Sequence, residues 1–148
     1  MKKVEMCGFC LFLFGIMTFF GACTMLNSDG LPSAAKTFLD KHFDGIEIVS
    51  IEQDENRDYE VRLENGVEIN FDRKGGWEEI KVKKNLFPES ILQTLPREIE
   101  HHIKTNYPDQ FIRKIERKGY GFRVSLNKPN NVELTFTKQG AFIEEEAK

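Results

Sequence analysis

The chain has 148 residues, a formal net charge of −3 and three cysteines. That length supports one compact domain or two tightly joined halves, and excludes several independent domains. Mild acidity argues against nucleic acid as a partner, because phosphate neutralisation needs clustered Lys and Arg.

The first element is an address. Lys2, Lys3 and Glu5 precede 23 uncharged residues, Met6 to Ser28, whose apolar centre runs from Phe9 to Phe20. A short basic start, an apolar stretch and then small residues at Gly21-Ala22 read as an export signal spanning residues 1–22. Phe20-Gly21-Ala22-Cys23 resembles a bacterial lipobox, with Phe20 where an aliphatic residue is usual, so Cys23 is the expected lipidation site. Ordinary cleavage nearby and a retained anchor helix are the alternatives, since 23 uncharged residues can span a hydrocarbon core about 30 Å thick. Cys7 and Cys10 form a C-x-x-C spacing, but inside an apolar signal no folded redox or metal site can assemble around them. Removal of 22 residues would leave 126 residues with a net charge of −4 and no cysteine beyond Cys23. An exported chain without disulfides depends on its core alone. Residues 23–30 read as a linker.

From residue 31 the chain repeats itself at an offset of 64. Leu31-Pro32, Ala35, Leu39, Phe43 and Ile51-Glu52 correspond to Leu95-Pro96, Ile99, Ile103, Tyr107 and Ile115-Glu116. After a one-residue slip, Tyr59-x-Val61-x-Leu63 corresponds to Phe122-x-Val124-x-Leu126, and Val67-x-Ile69-x-Phe71 to Val132-x-Leu134-x-Phe136. Gly75-Gly76-Trp77 corresponds to Gly140-Ala141-Phe142. Order conserved across so many segments, with insertions only at turns, marks a duplication of 31–84 in 85–148.

Each copy opens with a helix. Pro32 and Pro96 suit the first helical position, where a missing N–H costs nothing. Ala35, Phe38, Leu39 and Phe43 form one apolar stripe, and Ile99, Ile103 and Tyr107 form its counterpart before Pro108. A short extra helix is expected over Pro88–Thr94. The period then changes to two, giving strands at Ile46–Gln53, Tyr59–Leu63, Val67–Phe71 and Trp77–Lys83. Asn65-Gly66 predicts a tight hairpin turn with positive φ at both positions. Gly119-Tyr120-Gly121 precedes a strand and therefore reads as a turn, not as a phosphate loop. A unit of about 60 residues buries only about 60% of its unfolded surface. Two units sharing a sheet edge or a helix layer reach a workable core. The expected fold class is α+β: two α-β-β-β-β repeats in an antiparallel sheet of about eight strands, with helices on one face.

The Leu-Pro helix start, the Tyr-x-Val-x-Leu, Asn-Gly and Phe-Asp strand pair, and the Gly-Gly-Trp ending resemble the PepSY-like, β-lactamase-inhibitor-like family of exported bacterial proteins. The resemblance covers residues 31–147. It implies a fold similar to the tandem-repeat β-lactamase inhibitory protein, but not β-lactamase inhibition, which rests on loops and surface residues of particular members. Kinship with PepSY domains implies a binding or inhibitory role, with a peptidase or other hydrolase as the expected target. Copy two departs from the pattern at Lys128-Pro129-Asn130-Asn131, which replaces the tight turn, and at Thr137, which replaces the Asp.

Catalytic spacing is lacking: no G-x-S-x-G, H-E-x-x-H or P-loop occurs. No cofactor or metal is expected. His101 and His102, about 100° apart on a helix, cannot readily chelate one ion, and His102 aligns with the core position Phe38. Glu144-Glu145-Glu146 reads as a frayed acidic tail. The polar strand positions Glu60, Arg62, Glu64, Glu68, Asn70, Asp72, Arg123, Ser125, Glu133 and Thr135 are the candidate interaction face. An ordinary solvated face of cross-strand charge pairs is the competing reading. Interface anchors are usually aromatic or Arg. Trp77, Tyr59 and Phe142 are the candidates, but Tyr59 falls on the core register and Trp77 can pack inward, so the face has no obvious anchor, which counts against the binding reading. The expected function is a non-catalytic binding module, tethered at Cys23 in the periplasm or on the cell surface, with another exported protein as partner. A small-ligand-binding or envelope-sensing role is the alternative.

Overall fold

The computed structural model describes residues 28–84, 87–127 and 131–147; the export segment with Cys7, Cys10 and Cys23 lies outside them, as do Lys128, Pro129 and Asn130. Among the described residues no helix is long and apolar enough to cross a membrane.

A 3₁₀ turn at Ser28–Gly30 leads into helix α1 (Ser33–His42) and strands β1 (Ile48–Gln53), β2 (Tyr59–Leu63), β3 (Glu68–Phe71) and β4 (Trp77–Lys81). The second copy has a short helix α2 (Glu89–Leu92), then α3 (Arg97–Asn106) and strands β5 (Ile112–Lys118), β6 (Gly121–Leu126), β7 (Val132–Thr137) and β8 (Phe142–Ala147). All eight strands form one antiparallel sheet in the order β1 to β8. The two copies meet at β4–β5, where Glu79, Ile80 and Lys81 face Glu116, Ile115 and Lys114. A shared sheet edge is thus what joins them. Glu144–Glu146, expected as a loose tail, instead pair with Thr135, Leu134 and Glu133 as the middle of β8. Three carboxylates on an edge strand discourage pairing with a further chain.

Pro32 and Pro96 sit one residue earlier than expected, at the N-caps of α1 and α3. Neither helix has a side-chain cap. Each helix start instead docks on a hairpin turn of its own repeat. A Cβ on Gly75 would lie 2.7 Å from the Ala35 amide nitrogen, and one on Gly140 would lie 2.6 Å from the Pro96 Cβ. The Leu-Pro and Gly motifs of the duplication are therefore two sides of one contact.

The hairpin at Asn65-Gly66 differs from expectation. Only Gly66 takes positive φ, at 83°. The Gly66 N–H donates to the Leu63 carbonyl (2.9 Å) and the Leu63 N–H to the Val67 carbonyl (2.8 Å), which makes a three-residue loop. Asn65 Oδ1 accepts the Val67 N–H, so it stays out of the left-handed region. The same bonding closes Asp72–Gly76 and Thr137–Ala141, with Gly75 and Gly140 in the left-handed slot. It also closes Asp54–Asp58, where Arg57 occupies that slot at φ 67°.

The cores lie between helices and sheet. One cluster gathers Ala35, Leu39 and Phe43 with Val61, Ile69, Phe71 and Ile80. The other gathers Ile99 and Ile103 with Ile115, Val124, Leu134 and Phe136. Trp77 and Phe87 pack against both. The duplication extends to ring geometry: Phe38 meets Phe71 edge-on at 5.6 Å, and His102 meets Phe136 edge-on at 5.5 Å. Phe142, aligned with Trp77, stacks on His102 at 4.4 Å.

Candidate functional site

Strand alternation sends every second side chain to the face that carries no helix. The pairing register places those side chains in two rows across the sheet. One row runs Ser50, Arg62, Glu68, Lys81, Lys114, Ser125, Glu133, Glu146. The other runs Glu52, Glu60, Asn70, Glu79, Glu116, Arg123, Thr135, Glu144. Eight of the ten residues expected on this face, all except Glu64 and Asp72, do stand in these rows.

Glu64 and Asp72 belong to turns instead. Glu64 is an exposed loop residue whose N–H donates to the Glu47 carbonyl. Asp72 Oδ1 accepts the N–H groups of Lys74 (2.8 Å) and Gly76 (2.9 Å). These backbone bonds, the Gly76 one foremost, hold its carboxyl below the ordinary value although burial acts the other way. Thr137 fills the equivalent place, its hydroxyl accepting the Ala141 N–H at 3.0 Å. Both side chains are thus committed to turn geometry.

The face is not evenly solvated. Arg62 is exposed, but Ser125, Glu133 and Thr135 are 8%, 4% and 7% exposed. Arg123 Nε is 3.0 Å from Glu133, and the Ser125 hydroxyl donates to the same carboxylate at 3.4 Å. The second repeat therefore closes its half of the face with its own polar groups.

Composition did not single out the residues at the middle of the face: Glu79, Lys81, Lys114 and Glu116, on the strands where the repeats join. In register, Lys81 faces Lys114 and Glu79 faces Glu116, which by itself is repulsive. Pairing along and across the strands offsets it. Lys81 is 2.9 Å from Glu79, while Lys114 is 2.9 Å from Glu116 and 3.9 Å from Glu79. Lys118 adds a second cation 2.9 Å from Glu116. Burial works against ionisation of Glu116, but Lys114 and Lys118 outweigh it and bring its pKa down to about 2. At the β2 end, Arg62 is 2.6 Å from Glu60 and 3.5 Å from Glu52. The sequence signal for this network was the alternation in Trp77-Glu78-Glu79-Ile80-Lys81 and Lys114-Ile115-Glu116, legible once β4 and β5 are known to be neighbours.

Of the candidate anchors, Tyr59 and Trp77 are partly buried against the cores. Phe142 is 43% exposed but stacked on His102. Tyr120, 44% exposed at the tip of the β5–β6 hairpin, was not anticipated.

One end of the seam opens into a cleft of about 390 Å³, flanked by Lys81, Lys83, Arg113 and Lys114, with Glu68 and Glu133 on its sides. Arg113 enters through a bulge in β5, where the register shifts between Ile112 and Lys114. A bulge adds one residue to a strand and re-aims its side chain. Among the described residues no group of three or more His, Cys, Asp or Glu converges as a metal site.

The model of the family described as "Putative beta-lactamase-inhibitor-like, PepSY-like" matches residues 22–76 and again 58–144. No curated protein matches the chain. A "putative periplasmic protein of unknown function" from Bacteroides vulgatus is similar in structure, with a TM-score of 0.70 and 31% identity over 82% of this chain and 95% of its own. A "putative calcium-regulated periplasmic protein" from Bacteroides thetaiotaomicron gives a TM-score of 0.70 and 32% identity over 82% of this chain and 94% of its own. These matches span both repeats, and the chain belongs to the PepSY-like, β-lactamase-inhibitor-like family.

Proposed function

We propose that the protein is a non-catalytic binding module of the bacterial envelope, exported, held to a membrane through acylated Cys23, and acting on another exported protein through its helix-free sheet face. The observation that carries this reading is the pair of charged rows spanning all eight strands with a cleft at the seam. Helices cover the other side. A face so ordered in charge favours partners by electrostatic complementarity, which governs specificity and on-rate more than affinity. Kinship with proteins described as periplasmic supports the address, and the family description supports inhibition of a hydrolase as the form that binding takes. Calcium regulation, part of one relative's description, is not carried over.

Charge reversal tests the face. Arg62→Glu and Glu68→Lys, made in the tethered protein, are expected to abolish capture of the native envelope partner while leaving the fold intact. Unchanged capture of every partner would exclude this face. The tether is tested separately by Cys23→Ser, which should release the protein from membranes; unaltered fractionation would rule out acylation there.

A further inference from the structure

We infer that the cleft at the repeat seam receives an acidic, extended segment of the partner protein, with Lys83 and Arg113 meeting its carboxylates. The inference rests on the binding reading above and names the chemistry of the segment. The four cations around the cleft are not equivalent. Lys81 and Lys114 are already engaged with Glu79 and Glu116. Lys83 and Arg113 are exposed and form no ion pair among the described residues. They stand close because the Val82 N–H donates to the Arg113 carbonyl at 2.8 Å. The bulge that introduces Arg113 has a counterpart in the first repeat, between Ile48 and Ser50, where the extra residue is Val49. Val49 lies on β1, an edge strand among the described residues, and is 58% exposed. The same backbone device thus carries a cation only where it opens on the seam.

On a chain of net negative charge, two uncompensated cations beside a concavity make a local field of the opposite sign. Low-dielectric walls focus such a field on an entering anion. With Lys81 and Lys114 offset by Glu79 and Glu116, and Glu133 paired with Arg123, Lys83 and Arg113 stand against Glu68 and leave the cleft net positive. Arg113 offers a planar fork suited to a carboxylate, whereas Lys83 offers a mobile point charge. An extended peptide suits the site better than a compact anion, since the cleft runs across β3 to β7.

The test uses the mature chain and a fluorescein-labelled Glu-rich octapeptide read by fluorescence anisotropy. The Gln version of the peptide and inorganic phosphate serve as competitors. Lys83→Gln and Arg113→Gln are each expected to weaken binding about fivefold, and the pair more than tenfold. Added salt should weaken it further by screening. Lys138→Gln, the same charge change at the opposite end of the sheet, should leave binding unchanged. No binding of the peptide, equal binding by the double variant, equal weakening by Lys138→Gln, or displacement by phosphate as readily as by peptide would each overturn the inference. If any of these occurs while Arg62→Glu still abolishes partner capture, the wider binding reading stands and only the acidic-segment assignment falls.

Discussion

Glu116→Gln isolates the centre of the polar face. The substitution keeps the side chain's shape but removes the charge that Lys114 and Lys118 hold at 2.9 Å. Glu116 is 8% exposed, so its partners act in a medium less screening than water. The fall from the ordinary value of 4.5 to about 2 corresponds to at most about 3–4 kcal/mol of folding stability, at about 1.4 kcal/mol per tenfold change in proton affinity. Lys118 is 38% exposed, and solvent screening of that partner lowers the expectation to about 2 kcal/mol. The sign follows from linkage. A carboxyl depressed in the folded state stabilises it above the unfolded value and loses that contribution as pH falls through the folded value. Urea unfolding of the mature chain, followed by circular dichroism at several pH values, should show Glu116→Gln about 2 kcal/mol less stable at pH 7. The gap should narrow from about pH 5 and close near pH 2. A deficit of constant size across this range would mean lost packing or hydrogen bonding instead of lost charge. No deficit at pH 7 would mean that the network contributes only solubility.

Other substitutions probe the turns and the junction of the two cores. Arg57→Gly should raise stability by about 0.5–1 kcal/mol in thermal melts, because Arg57 holds φ 67° in a slot where glycine avoids the Cβ penalty. Gly75→Ala and Gly140→Ala should each cost more than about 2 kcal/mol, since strained φ adds to a collision with the helix start. Gly119→Ala, with open space around its Cβ, should be nearly neutral and serves as the control. Trp77→Ala should cost about 3–5 kcal/mol. Because Trp77 touches both clusters, it should also separate the unfolding of the halves. A single sharp transition in calorimetry would contradict that coupling.

Periodicity was a sound guide wherever one face of an element is buried. Val61, Leu63, Ile69 and Phe71 alternate in sequence and are all buried, and their helical partners recur at spacings of three and four. Turn type was less legible. Asn65-Gly66 fits both a two-residue and a three-residue loop, and the choice was made by the Val67 N–H bond to Asn65. The same holds for Asp72: an acidic residue after a strand reads as surface until its bonds to the next turn are visible. Glu144–Glu146 looked like a tail because charge density argues for solvent, yet an edge strand needs only one paired side.

What the linear order of residues determined about this protein is its repeat, its strand and helix periods and the membership of each core, because those depend on contacts that local pattern enforces. Which charges face one another was decided by the tertiary structure alone. Lys114 is neighbour to Glu79, and Arg113 to Lys83 across the cleft, only because β4 of one copy pairs with β5 of the next. Electrostatic energy depends on distances of a few ångströms between chain segments far apart in sequence, and no local pattern specifies those.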